Sequence, residues 1–296
     1  MSRMRRRRFL ATLPAPLLAA PRSPAGFGFS LYGLRGVPVT DAIGLCADLG
    51  YRAVELCALP GWSAEPKSLD TAARKRIVAA LRKRKMAMPA IMDNLSLTVN
   101  DTQHAANLKR LDEVASLAHD LAVKTPPLIE TVIGGRPADW EKLREPMAAR
   151  LRDWEPVARK AGIVVAIKPH VGGAVNAPDR ALWLLRQVPS PWIKAVYDFS
   201  HYSLIDLELA ATMKDLIAET RFVHIKDAAG KPPKYEFLLP GDGATDYREY
   251  ARLLRSHRYT GWVVVEVSRG LQDKPGYDGP AAARRCFEKL GRIFGG

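Results

Sequence analysis

The chain has 296 residues, of which 47% are apolar and 26% charged, a composition that supports a large core and excludes a disordered or fibrous chain. Its formal net charge of +14 raises nucleic acid or an anionic membrane as partners. Six arginines and no acid lie within residues 1–25, however, which leaves +8 on the remainder, spread over helix-like stretches such as ARKRIVAALRKRK (73–85) whose charges read as a solvated face.

The first 25 residues, MSRMRRRRFLATLPAPLLAAPRSPA, join a basic start to an apolar run from Phe9 to Ala20 and then to small residues. That is the pattern of an export signal. The run Arg6-Arg7-Arg8-Phe9-Leu10 is similar to a twin-arginine motif, used for proteins exported already folded. The expectation is a periplasmic protein whose signal (1–25) is cleaved between Ala20 and Gly26, leaving one domain over 26–296. The apolar run is too short for a stable bilayer anchor, so no membrane attachment is expected after its removal. Cys46, Cys57 and Cys286 have no metal-type spacing and read as buried thiols.

From residue 27 onward short apolar runs alternate with longer amphipathic ones eight times. The strand-like runs are FGFSLY (27–32), AVELCA (53–58), AMPAIM (87–92), PLIETVI (127–133), IVVAIK (163–168), IKAVYD (193–198), RFVHIK (221–226) and WVVVEV (262–267). Helical patterns lie between and after them at 38–49, 69–85, 101–122, 138–161, 178–187, 203–219, 246–257 and 279–293. Ser68 or Asp70, Asn100 or Asp101, and Asp246 are cap signals, and Gly50, Gly162 and Gly261 fall where a helix or loop must stop. Strict alternation of this kind predicts a single α/β domain, a (β/α)8 TIM barrel.

The last four strand candidates each end in a charged or imidazole group, and a barrel gathers such ends around one mouth. Residues two apart share a strand face, so Lys168 groups with Ala166, Asp198 with Val196, His224 with Phe222 and Lys226, and Glu266 with Val264. Asp198, His224 and Glu266 are metal-ligand types. The fourth corner is Lys168, a cation, which repels a divalent ion. Glu55 and Glu130 interrupt apolar strands and need partners, either core Arg or Lys or the site itself. Tyr32 and Trp62 could stack on a sugar face or pack under a loop.

These features resemble the sugar phosphate isomerase/epimerase family of xylose isomerase-like TIM barrels over roughly residues 27–293. The resemblance rests on IKPH (167–170), YDFSH (197–201), VHIKD (223–227), the Gly-rich LPGDGATDY (239–247) and VVVEVS (263–268). It implies a sugar substrate and a Mn, Mg or Co ion held by Glu, Asp, His and Glu from strands five to eight. Asp198, His224 and Glu266 match three of those ligands, and Lys168 departs from the first. It further implies that His201 contacts substrate and that Glu266 moves a proton beside a sugar carbonyl. Lys168, Glu266 and His201 are thus the expected catalytic groups, with His170, Lys226, Asp227 and Arg269 binding substrate.

With Lys168 in place of a ligand, no metal cofactor is expected. The lysine could stabilise an oxyanion as an ammonium, or act as a base if burial lowers its pKa. A barrel that binds carbohydrate without catalysis is the alternative. An abasic-site endonuclease relative is disfavoured by six histidines in all, by Lys168 and by the export signal, so no nucleic-acid partner is expected. Homo-oligomerisation stays open.

Overall fold

The computed structural model describes residues 23–295, so all but the last three residues of the expected export signal lie outside the described part. Ten strands follow in chain order: β1 Gly26–Ser30, β2 Ala53–Cys57, β3 Ala90–Met92, β4 Leu128–Val132, β5 Val165–Lys168, β6 Ile193–Tyr197, β7 Thr220–Ile225, β8 Asp227–Lys231, β9 Lys234–Leu238 and β10 Trp262–Val265. Eight of them close a parallel barrel in the order β1-β10-β7-β6-β5-β4-β3-β2, while β8 and β9 form a separate antiparallel hairpin. The helices are α1 Val39–Leu49, α2 Thr71–Arg84, α3 Asp101–Asp120, α4 Trp140–Ala161, α5 Pro178–Gln187, α6 Phe199–Ser203, α7 Leu209–Leu216, α8 Tyr247–Ser256, α9 Arg269–Gln272 and α10 Gly279–Phe294. None of the described helices is long and apolar enough to cross a membrane.

The caps read from sequence are in place. Asp70 accepts the Ala73 N–H at 2.6 Å, Asn100 that of Gln103 at 2.8 Å, and Asp246 those of Arg248 and Glu249. Gly50 ends α1 in the left-handed conformation (φ 106°), where an added Cβ would lie 2.4 Å from the Phe287 ring. The three cysteines are free and buried.

Several elements differ from the sequence reading, among them the short helix α9 at Arg269–Gln272, which was not expected. The strand expected at 87–92 is only Ala90–Met92, because Pro89 has no N–H to give the ladder; Ala87 makes an isolated bridge to Ala53. The helix expected at 203–219 is instead α6 and α7. Asp198 starts α6 early by capping Ser200, and Asp206 takes a left-handed conformation (φ 60°) that breaks the chain before α7. The β8–β9 hairpin was not anticipated, since most of its residues are exposed and show no apolar alternation.

The period of two builds the barrel interior in layers. Ala90, Ala166, Val196, Phe222 and Val264 face inward and form an apolar plug, flanked by Leu128 and Trp262. Two residues further along each strand stand Met92, Lys168, Asp198, His224 and Glu266. Glu130, two residues after Leu128, and Glu55 on β2 complete this second, polar layer, which is buried throughout. The opposite strand faces pack against the helices in one continuous core. Phe222 is the largest residue of the plug and fully buried. Phe222→Ala is expected to lower stability by about 3–5 kcal/mol, visible as a fall in the denaturant midpoint; a change under about 1 kcal/mol would show that the plug carries little of the packing.

Candidate active site

Lys168, the last residue of β5, points into the barrel mouth. Its Nζ donates to Glu266 Oε2 at 2.6 Å and to His224 Nδ1 at 2.8 Å, with Asp198 Oδ2 at 3.2 Å. A second ammonium meets it there: Lys226, just after β7, donates to both Asp198 and Glu266. Both carboxylates are therefore shared between two lysines, and the four charges balance. All four side chains are at least 90% buried. Burial alone would strip the proton from Lys168, but Glu266, Asp198 and Glu130 outweigh it and hold the ammonium above the ordinary lysine range. This environment favours the ammonium over a neutral lysine base.

Burial raises the pKa of Asp198 and of Glu266, yet the neighbouring lysines win and hold both carboxylates well below the usual range. Asp198 Oδ1 also accepts the Ser200 N–H and hydroxyl, which ties it to the start of α6. His224 is fixed from both sides, with Nε2 2.9 Å from Glu55 Oε2 and Nδ1 facing Lys168. The Glu55 carboxylate raises the imidazole pKa against the opposing burial. An imidazolium, however, would set two N–H donors against each other at Lys168. The hydrogen bond requires the neutral ring with its proton on Nε2, donated to Glu55.

Above this layer opens a cavity of about 240 Å³ lined by Tyr32, Asn94, Glu130, Lys168, His170, His201, Lys226, Phe237, Glu266 and Arg269, among others. Its size suits one small ring rather than an extended chain. His201 is buried, with Nδ1 accepting the Val171 N–H at 3.3 Å and Nε2 facing Lys226 and Asp198. His170 packs against it, with ring centres 4.3 Å apart and planes tilted by 47°. Its Nδ1 accepts the Gly172 N–H at 3.1 Å, so the other nitrogen carries the proton and can donate to a ligand oxygen. Burial, followed by Lys226 and Lys168, pushes His170 down to about 4. Phe237 of the β8–β9 hairpin covers Lys226, with Nζ 4.9 Å from the ring centre.

The structure thus gathers Lys168, Asp198, His201, His224, Lys226 and Glu266 at one point, with His170 and Arg269 at the cavity wall. Arg269 is partly engaged by Asp273 and lies over Trp62, which stacks on Tyr32 at 5.3 Å. Asp227 is the exception. Expected from sequence to bind substrate, it turns away from the cavity and accepts the Gly241 and Gly243 N–H groups at 2.7 and 2.9 Å and the Tyr247 hydroxyl at 3.3 Å. A Cβ at Gly243 would come 2.7 Å from that of Asp227, so the Gly-rich turn is built around this carboxylate. Sequence reasoning gave Lys226 only a substrate-binding part. Its place two residues after His224 on the same face was the available signal that it would share the carboxylates.

The family model for the xylose isomerase-like TIM barrel matches residues 43–290. The chain belongs to the xylose isomerase-like TIM barrel family. A curated relative, the inosose dehydratase of Bacillus velezensis, is 22% identical over 183 residues, 57% of this chain and 61% of the relative, so the match spans about three-fifths of that protein's length. Among solved structures, the 3-keto-D-glucoside 4-epimerase of E. coli covers 90% of this chain and 99% of its own at TM-score 0.70 and 16% identity. The IOLI protein with a bound zinc atom covers 91% and 99% at TM-score 0.74 and 16% identity. At these identities the structural likeness is one of fold.

As a xylose isomerase-like barrel, the chain can be tested for the ion that the resemblance implies. Donor atoms of Asp198, His224 and Glu266 lie within 4.8 Å of one another, a set that would by itself suit a divalent cation. Here the same lone pairs already face the two ammoniums, and Lys168 stands where a fourth carboxylate would be needed. An ion bonded to all three donors would meet Lys168 at its 2.6–2.8 Å contacts with Glu266 and His224, like charge against like in a buried site. As arranged, these residues do not fit it.

A histidine held low destabilises the folded chain in acid. The unfolded chain takes up the proton near its ordinary 6.5 and the folded one only near 4, so the His170 contribution is complete above pH 6.5 and is lost as the pH falls toward about 4. His170→Asn is expected to lose less stability than the parent between pH 6.5 and 4 in thermal melts. Equal losses would show that His170 titrates normally.

Proposed function

We propose that the chain is an enzyme that moves a proton at the carbon beside the carbonyl of a keto-sugar or keto-polyol, with the ammoniums of Lys168 and Lys226 holding the developing oxyanion in place of a divalent ion. The observation that carries this reading is the pair of buried ammoniums on shared carboxylates at the floor of a ring-sized cavity. Breaking a C–H bond next to a carbonyl sends an electron pair onto the carbonyl oxygen. Fixed ammonium donors in a water-poor site stabilise that charge without reorganising. Two ammoniums with three donors each can also hydrogen-bond the oxygen as its charge grows. The His170 imidazole N–H and the Arg269 guanidinium are placed to hold ring hydroxyls at the cavity wall.

Dehydration of an inosose and 4-epimerisation of a 3-keto-glucoside, the activities named for two of the similar proteins, differ in outcome but can share this first step. Isomerisation shares it too. The common step is therefore the appropriate level for the proposal, and a keto-polyol ring is its substrate class.

The shared step is measured by wash-in of solvent deuterium at the carbon beside the carbonyl, followed by NMR with an inosose and with a 3-keto-D-glucoside as probes. The chain is expected to catalyse exchange with at least one of them, and Lys168→Met to slow it about 10²–10³-fold, the effect of removing one oxyanion donor. Tight binding of both probes with no exchange would instead identify a barrel that only binds carbohydrate.

Metal content provides a separate check. Protein purified without chelator is expected to hold less than one equivalent of Mn, Mg, Co or Zn, and Lys168→Glu to gain Mn²⁺ binding in calorimetry. A stoichiometric ion in the parent chain, lost in Asp198→Asn, would sink the replacement of the ion by lysine.

A further inference from the structure

The proposed step needs a group to take the proton, and most titratable groups at the cavity are already committed. Glu266 accepts from both Lys168 and Lys226, and Asp198 accepts from Lys226 and Ser200 with the Lys168 ammonium 3.2 Å away. Carboxylates held this firmly are weak bases. Lys168 is an ammonium. His201 has its Nδ1 on the Val171 N–H and its Nε2 against Lys226 and Asp198, and the Nδ1 lone pair of His170 is taken by the Gly172 N–H. Glu55 is taken up by His224.

Glu130 on β4 is different. It lines the cavity floor and its side chain is fully buried, yet among the described residues neither carboxyl oxygen has a hydrogen-bond partner. A buried carboxyl with both oxygens unpaired is rare, and one facing a ligand cavity is most simply paired by the ligand. The titratable groups whose charge acts on it are Lys168 on β5, Glu55 on β2, His224 on β7 and Glu266 after β10. Glu130 lies opposite Ala166 in the ladder, with Lys168 two residues further along the same strand. Glu130 and Lys168 thus line the cavity from neighbouring strands, so one ring can meet both.

We infer that Glu130 is the proton-transferring carboxyl of this site, a role that rests on the reaction proposed above. In the forward step its carboxylate takes the hydrogen from the carbon beside the carbonyl. The C–H bond breaks and an O–H bond forms on Glu130. The electron pair becomes the C=C bond of an enediolate whose negative oxygen faces Lys168 and Lys226. Replacement of that proton by a solvent deuteron, followed by its return to carbon, completes an exchange. Where a hydroxyl sits on the next carbon, the enediolate re-forms its carbonyl, the C–O bond breaks, and Glu130 gives its proton to the departing oxygen to make water. Burial, partly opposed by Lys168 and reinforced by Glu55, brings this carboxyl up to about 7, where it can give and take a proton at neutral pH.

The test uses the full chain, the two probes named above, solvent-deuterium exchange and calorimetric probe affinity. Glu130→Gln is expected to exchange at least 100-fold more slowly than the parent, with probe affinity changed less than threefold and the melting temperature retained. Glu130→Asp, which keeps the carboxyl but withdraws it by one methylene, should recover part of the exchange lost in Glu130→Gln. Should the Gln variant fail to fold, the Asp variant is compared with the parent directly, and at least a tenfold slowing is expected. Exchange within tenfold of the parent in folded Glu130→Gln would overturn the assignment, as would a loss fully explained by weaker probe binding. A parent chain that exchanges neither probe overturns the proposed reaction itself, whereas an active parent with an equally active Gln variant overturns only the role of Glu130.

Discussion

Everything at the mouth of this barrel is organised by one electrostatic constraint, the sharing of the Asp198 and Glu266 carboxylates between the Lys168 and Lys226 ammoniums. Any of the four charges alone would be strongly disfavoured at this depth. Together they neutralise one another and their hydrogen bonds fix the geometry. Such a buried network is weak evidence for stability, because well-packed apolar residues often serve a fold as well or better. What the network supplies is a preformed field of ammonium donors at the floor of a cavity.

The barrel places that field by geometry. A period of two along eight parallel strands stacks an apolar plug under a polar layer, with Phe222 beneath His224 and Val264 beneath Glu266. The plug closes the lower end to water, which lowers the local dielectric and strengthens every charge interaction above it. The hairpin contributes from the other side, laying Phe237 over Lys226 and against His201. The same dryness that makes the ion pairs interdependent would make their field effective on a bound carbonyl.

Much of this was legible in the sequence because it depends on local periodicity. Alternation of apolar runs with amphipathic ones gave the eight β/α units, and parity within each strand put Lys168, Asp198, His224 and Glu266 on the inner face. What escaped was whatever depends on neighbours distant in the chain. Lys226 and Asp227 are adjacent and equally charged in type to their surroundings, yet one turns into the carboxylates and the other into the amides of the 241–243 turn. Nothing in VHIKD distinguishes them. The hairpin after β7 was hidden because exposed strands need no apolar alternation, and α6 because its start is set by the Asp198 side chain. Glu130 could be read only as an acid that must find a partner. Its lack of one is a property of the folded site.

The sign change at position 168 alters more than metal affinity. A divalent ion can bind a carbonyl and an adjacent hydroxyl together, fixing both the charge and the orientation of a substrate. Two ammoniums supply comparable charge but bind as point donors on flexible stems. Orientation then has to come from elsewhere in the cavity. The His170 imidazole is available for this, held neutral with its N–H directed by the Gly172 contact, and Arg269 is anchored over Trp62 at the rim. Under the proposed reaction, recognition would come from the walls, while the floor would supply the ammonium donors.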